Sequence, residues 1–263
     1  MTASRSHGSG VLASLWHTVT GMLSWLLRLR VVVLVGLFLL VNLLIQLSRK
    51  PAEIVNYLGG GSARTPAQTW AAYASSFEAH ATHELSPHFL GALAQAESAG
   101  NPWATPRWKV RFSINPSKIY SPASSAVGLM QFTDGTFRSA SELCVHDGEV
   151  REVGAWLDPD SCWFNWTYTR LSGDHSIELA SAHLTRHVRR LLGPRARDLA
   201  SRSPQAVEDL AAVIHLCGAG AAKKHLKRGL HRIRNARCGS HPVRPYLLRV
   251  QKYKRTFQRV SDS

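Results

Sequence analysis

A carboxyl held where water is scarce can act as an acid, and Glu97 stands in such a place in the chain. It follows Leu90 by seven residues and Leu93 by four, so at helical spacing it shares their apolar face. Desolvation favours the protonated form of a carboxyl, which is the form that can give a proton to a leaving group near neutral pH. On the helix alone, an ion-paired or rim glutamate is the plainer reading. His183 and His187 also share a helical face, but no carboxylate joins them. There is no C-x-x-C or H-E-x-x-H, and the 13 histidines are scattered, so a solvated pair, no metal and no cofactor are expected. Gly218-Ala219-Gly220-Ala221-Ala222 lacks a third glycine and a preceding strand, which argues against a nucleotide loop.

The elements that must position Glu97 are helices. Thr65, Pro66 and Gln68 fit a cap, a first-turn proline and a capping-box partner, opening a helix with Trp70, Tyr73, Phe77 and Ala81 on one face. Ser86 and Pro87 open the helix of Glu97 in the same way, and Gly100, Asn101 and Pro102 stop it. Further helical patterns run over 177–192, 204–217 and 243–257, the last with Tyr246, Val250, Tyr253 and Phe257 at helical spacing. Few stretches alternate with period two, so the expected class is mainly α.

Ahead of this domain, Val31 to Ser48 is a run of 18 uncharged residues. As a helix it is ~27 Å long, close to the ~30 Å hydrocarbon core of a bilayer. The flank Ser48-Arg49-Lys50-Pro51 offers no A-x-A cleavage pattern, which favours an uncleaved anchor over a signal peptide. The division expected is 1–30 as a cytoplasmic or interfacial segment, 31–48 as the anchor, 49–64 as a linker around Gly59-Gly60-Gly61-Ser62, and 65–263 as the domain. Val11 to Leu27 reads equally as an interfacial helix or as part of a longer tilted span. Basic residues on the two flanks nearly balance, so they orient the anchor weakly.

Cys144, Cys162, Cys217 and Cys238 all follow the anchor, and their even number permits two disulfides in an oxidising space. Of the three connectivities open to four cysteines we expect neighbours to pair. The formal charge of +15 is uneven: residues 1–182 hold 13 Lys and Arg against 13 Asp and Glu, and residues 183–263 hold 19 against 4. Such a cationic third tolerates an anionic polymer or lipid headgroups. No DNA-reading motif accompanies it and a basic run is ordinarily a solvated face, which argues against nucleic acid.

The surroundings of Glu97 carry a resemblance. Ala96-Glu97-Ser98-Ala99-Gly100-Asn101-Pro102, then the segment from Ser121 to Gln131 ending Gly128-Leu129-Met130-Gln131, then Asp134-Gly135-Thr136-Phe137, resembles the soluble lytic transglycosylase (SLT) family. Ala212-Val213-Ile214-His215-Leu216-Cys217-Gly218-Ala219-Gly220 looks like that family's Ala-Tyr-Asn-Ala-Gly-x-Gly segment, and Tyr246 to Tyr253 is similar to its closing helix. The resemblance, from about Leu85 to Phe257, implies a goose-lysozyme-like fold and cleavage of the β-1,4 bond between N-acetylmuramic acid and N-acetylglucosamine in peptidoglycan. It implies that Glu97 is the acid and then the base, leaving a 1,6-anhydro ring, and that no second protein carboxylate is needed, unlike the two-carboxylate glycosidases. By the same matching Ser98 orients Glu97, while Met130, Gln131, His215 and Tyr246 serve the substrate site. It implies peptidoglycan strands as substrate; with the anchor and the cysteines, an inner-membrane protein with a periplasmic domain is expected, and enzymes resembling it often serve secretion or conjugation machines, though the sequence names no such partner.

Three departures stand out. His215-Leu216 replaces the family's Tyr-Asn, putting an imidazole where a phenol is expected. The stretch from Glu97 to Gly128 is long, and Arg107 to Asn115 alternates basic and apolar residues as a hairpin-like lip would. The segment from Cys144 to Trp166 is rich in Trp, with Trp156, Trp163 and Trp166 expected as packed indoles beside a disulfide. The imidazole keeps an alternative open, a tethered component that grips glycan without cleaving it. Asp134 is the acid considered as a neighbour of Glu97.

Overall fold

The computed structural model describes residues 8–49, 61–110, 112–113, 120–158, 161–227, 229–235, 237–238 and 241–262. By its contacts the chain divides into one unit of residues 1–50 and 108–121 and a second of 51–107 and 122–263. In the first unit, α1 (Gly8–Arg49) is a continuous helix of 42 residues, so the two N-terminal segments read separately in the sequence are one element. Its stretch Trp25–Ile45, 21 residues, is long and apolar enough to cross a membrane. The strands β1 (Trp108–Val110) and β2 (Tyr120–Pro122) pair; the rest of the expected lip, at 111 and 114–119, lies outside the described residues, as does most of the expected linker, 50–60.

The second unit is mainly helical. Its first helix, α2 (Pro66–Ala79), starts where the sequence places it, with Thr65 and Gln68 forming the capping box and Pro66 in the first turn. It stops before Ala81, while Trp70 and Phe77 enter the core. Ser86 caps α3 (Pro87–Ser98) by accepting from the Phe89 amide. Then come α4 (Asp134–Ala140), α5 (Gly173–Leu192), α6 (Ala196–Arg202), α7 (Pro204–Cys217), α8 (Ala219–Leu226) and α9 (Arg244–Ser261). One apolar core unites them: Leu90 and Leu93 of α3, Ile177 and Leu184 of α5, Leu210 and Val213 of α7, and Leu247, Val250 and Phe257 of α9 are all buried. α9 lies along α3 and α2, and α5 packs against α7, so α3 is enclosed over most of its length.

The sequence reading missed a hairpin. β3 (Leu143–His146) and β4 (Glu149–Glu152) pair antiparallel, with His146 opposite Glu149. The turn between them is Asp147-Gly148, both at positive φ, the backbone that lets a two-residue loop follow strand twist. Leu143 and Val145 are buried, and β3 packs on α5. The short pair β5 (Arg237–Cys238) and β6 (His241–Pro242) precedes α9. Disulfides join Cys144 to Cys162, with Cα atoms 5.5 Å apart, and Cys217 to Cys238, at 5.3 Å. The first ties β3 to the 3-10 turn Trp163–Thr167; the second holds the last residue of α7 to β5. The expectation of packed indoles fails at two of three positions. Trp156, which lies outside the 3-10 turn, is 74% exposed; Trp166 is 76% exposed because the turn buries its neighbour Asn165 instead, whose amide donates to the Ser141 and Leu143 carbonyls.

Candidate active site

Glu97 lies in the last turn of α3, and the end of that helix is fixed by a local network. Ala99 (φ 52°) and Gly100 (φ 71°) take the left-handed backbone that closes the helix, and the Ala99 amide donates to the Gln95 carbonyl. Gly100 is required there, since a Cβ would overlap the Thr69 hydroxyl. That hydroxyl donates to Gln95 Oε1 at 2.7 Å, and Gln95 Nε2 donates to the Arg64 carbonyl at 2.9 Å. Arg64 donates from its amide to the Ala99 carbonyl and from its guanidinium to the Gly100 carbonyl and the Tyr73 hydroxyl. The turn that leaves α3 is set by Asn101, which is buried and whose Oδ1 accepts from the Trp103 amide at 2.8 Å.

The carboxyl of Glu97 meets two side chains from distant parts of the sequence. Tyr246, in the first turn of α9, donates its hydroxyl to Glu97 Oε1 at 2.5 Å. Burial, then the adjacent carboxylate, pushes the Tyr246 phenol well above its ordinary pKa, so it stays protonated and remains a donor. Arg249 lies over its ring, 5.5 Å from the centroid. His215, in the last turn of α7, has Nε2 3.8 Å from the same Oε1, beyond hydrogen-bond range. The Glu97 side chain is 18% exposed and that of His215 8%, so the acid is enclosed yet reachable. The Cys217–Cys238 bridge sits two residues past His215 and anchors the helix end that carries it.

The arrangement corrects several residue assignments. Tyr246, expected among substrate contacts, is spent on the acid itself and restores the phenol that His215-Leu216 had removed. Ser98 was expected to orient Glu97, but its hydroxyl donates to the Ala94 carbonyl one turn back, at 3.0 Å. Met130 is fully buried in the core and presents no surface to a ligand. Gln131, at φ 49°, uses its amide nitrogen on the Ala104 and Gly128 carbonyls at 3.0 and 2.9 Å, stapling one loop to the other. Asp134 pairs with Arg170 at 2.8 Å at the start of α4 and is largely exposed. Among the described residues, the hydrogen-bond and ion-pair partners of Glu97 are thus a phenol and an imidazole, with no second carboxyl and no lysine or arginine.

The expectation of a solvated His183–His187 pair also gives way. Both are partly buried, with rings 4.5 Å apart edge to face. Burial, then His187, His215 and Arg186, pushes the His183 imidazole down to about 3. His183 is therefore a neutral ring standing within electrostatic reach of His215. The signal available in the sequence was the spacing of three apolar neighbours, Ile177, Ala180 and Leu184, around it on α5. Among the described residues no cluster of His, Cys, Asp and Glu could hold a metal.

No curated protein and no solved structure matches the chain. The family model for the transglycosylase SLT domain matches residues 74–228, more than half of the chain. That span holds Glu97, Gln131 and His215, while Tyr246 lies beyond it and joins the acid only in three dimensions. A mainly helical domain, an enclosed glutamate at a helix end, and this match agree, and the chain belongs to the SLT transglycosylase family, whose members act on peptidoglycan.

Proposed function

We propose that the chain is a membrane-anchored lytic transglycosylase that cleaves the β-1,4 bond between N-acetylmuramic acid and N-acetylglucosamine and leaves 1,6-anhydro ends. The single observation that carries this is Glu97, enclosed but reachable, held at one oxygen by a neutral phenol and, among the described residues, with no lysine or arginine within ion-pair distance. The reaction uses this one group first as acid and then as base. As an acid it gives its proton to the glycosidic oxygen as the C1–O bond breaks; the carbonyl oxygen of the substrate's own N-acetyl group stabilises C1. As a carboxylate it then takes the proton of the C6 hydroxyl, whose oxygen closes on C1 and displaces the acetamido oxygen. Glu97 ends protonated, as it began. Tyr246 keeps one oxygen fixed by donating to it, so the other oxygen faces the reaction in a constant direction.

Placement follows from chemistry at the two ends of the chain. A 21-residue apolar helix favours an inner-membrane anchor, and two disulfides favour an oxidising space for the domain, which is the periplasm. An enzyme tethered in this way opens the wall only within reach of its anchor, as service to an envelope-spanning secretion or conjugation machine would require. The test is product analysis with the detergent-solubilised full chain on cell-wall sacculi. Fragments ending in anhydro-muramic acid, absent with Glu97→Gln, are the expected result. Reducing ends would mean that water is the nucleophile, and equal release by the variant would mean that another group is the acid.

A further inference from the structure

We propose that a cationic cavity between the C-terminal halves of α5 and α8 is a subsite for the carboxylates of the peptide stem carried by the glycan strand. This rests on the reading of peptidoglycan as substrate and adds the part of the polymer that the chain recognises. The cavity encloses about 400 Å³ and is lined by His187 and Arg190 of α5 and by Lys223 and Lys227 at α8, over an apolar floor that includes Leu191 and Leu226. That volume lies within the range of small-ligand sites.

The charges of this face differ from the others on the same helix. Arg186 pairs with Glu152 at 3.0 Å, and Arg189 pairs with Glu84 and Glu149 at 2.7 and 2.9 Å. Arg190, Lys223 and Lys227 have no carboxylate within ion-pair distance among the described residues. The electrostatics at His187 agree. Its imidazole is pushed down by burial, then by Arg190 and Arg186, with no acid to offset them. Exposed cations, unpaired among the described residues, gathered round an open, partly apolar hollow are matched by an anion on an aliphatic arm.

Position relates this cavity to the acid. His187, on its wall, has its ring 4.5 Å from that of His183; His183 lies within the field of His215; and His215 Nε2 is 3.8 Å from Glu97 Oε1. His187, His183 and His215 thus stand in sequence between the cavity and Glu97. N-acetylated sugars joined by glycosidic bonds, with the lactyl carboxyl taken up in its amide to the peptide, carry no charge, so the strand itself gives these cations nothing to hold. The carboxylates of its peptide arms do. Phosphate from a lipid headgroup or a wall polymer is the other source of an oxyanion, and the methylene floor favours the peptide.

Binding to the full chain in micelles, with Glu97→Gln to prevent turnover, tests this. The probes are a disaccharide bearing its peptide, the same disaccharide with its lactyl carboxyl capped as a simple amide in place of the peptide, inorganic phosphate, and phosphatidylglycerol vesicles. The peptide is expected to tighten binding at least tenfold, and Lys223→Glu or Lys227→Glu to remove most of that advantage. Lys224→Glu, the same charge change on an exposed neighbour outside the cavity, is expected to keep it. Equal affinity for the two disaccharides, equal loss in all three lysine variants, or displacement of the peptide-bearing ligand by phosphate or vesicles at lower concentration would each overturn the proposal. The peptide advantage is read without catalysis. Its presence alongside a wild-type chain that makes no anhydro ends would support the subsite and refute the reaction, and its absence alongside normal anhydro products would do the reverse.

Discussion

The carboxylates that enter the interior of this domain do not all meet the same kind of partner. Glu84, Glu208 and Asp209 are buried against cations: Arg189 grips Glu84 with two nitrogens at 2.7 and 2.9 Å, Lys254 and the Ser86 hydroxyl hold Glu208, and Arg234, Gln205 and Gln251 surround Asp209. Glu97 is met by a phenol and an imidazole. The first arrangement is structural, because removing the cation would leave a carboxylate unpaired in the interior. The second sets no lysine or arginine against the carboxyl among the described residues. Countercharge alone does not set Glu97 apart, since Glu178 is also buried with no lysine or arginine among its partners in the described residues, held by the Tyr168 hydroxyl and the Val145 amide; what Glu97 adds is a carboxyl that is 18% exposed and can be reached.

The sharpest way to break that distinction is to change one acid of each kind. Glu97→Gln keeps size and a hydrogen-bonding oxygen, so it is expected to lower release of anhydro-muropeptides by about a hundredfold or more, the scale of lost acid–base catalysis, while denaturant midpoints stay near the wild type. Lys254→Met is expected to do the opposite. It leaves Glu208, 1% exposed at its side chain, without its cation, which costs about 3–5 kcal/mol of stability, read from the same denaturation curves. Loss of stability in the first variant and none in the second would dissolve the contrast.

How much of this the sequence discloses depends on how local the cause is. The caps at Thr65 and Ser86, the bounds of α7, the apolar face of α3 and hence the enclosure of Glu97 all follow from neighbours within a turn or two, and they read correctly. Pairing of adjacent cysteines reads correctly for a similar reason, with separations of 18 and 21 residues. The partner of the acid does not, because Tyr246 is 149 residues away and its helical spacing announces only that it faces the core. Met130 was misassigned since a matched motif does not distinguish residues that touch a ligand from those that support the loop beneath it. The hairpin of β3 and β4 was legible in Asp147-Gly148 and passed over, its strands being only four residues each.

A smaller effect sharpens the role of the phenol. Tyr246→Phe preserves the packing against α3 and removes one charge-assisted hydrogen bond, of about 1.5–3 kcal/mol, from Glu97. If that bond serves to aim the carboxyl, kcat should fall by about tenfold or somewhat more, with KM little changed. A rise in KM with kcat intact would instead return Tyr246 to the substrate contacts.

The least of these effects lies behind the site, at His183. Its imidazole titrates near 3 in the folded chain because burial, His187, His215 and Arg186 oppose its charge, whereas in the unfolded chain it titrates near the ordinary 6.5. The folded state therefore binds fewer protons than the unfolded state below about pH 6.5, and the stability this residue contributes is complete above that pH and declines as pH falls toward 3. At pH 5 the loss is about 2 kcal/mol, at roughly 1.4 kcal/mol for each pH unit below 6.5. His183→Gln carries no titrating ring, so its stability should fall less steeply between pH 7 and pH 5 than that of the wild type, whatever its absolute value. Parallel curves would mean that His183 takes up its proton in the folded domain, and that the wall behind His215 holds charge at mildly acid pH.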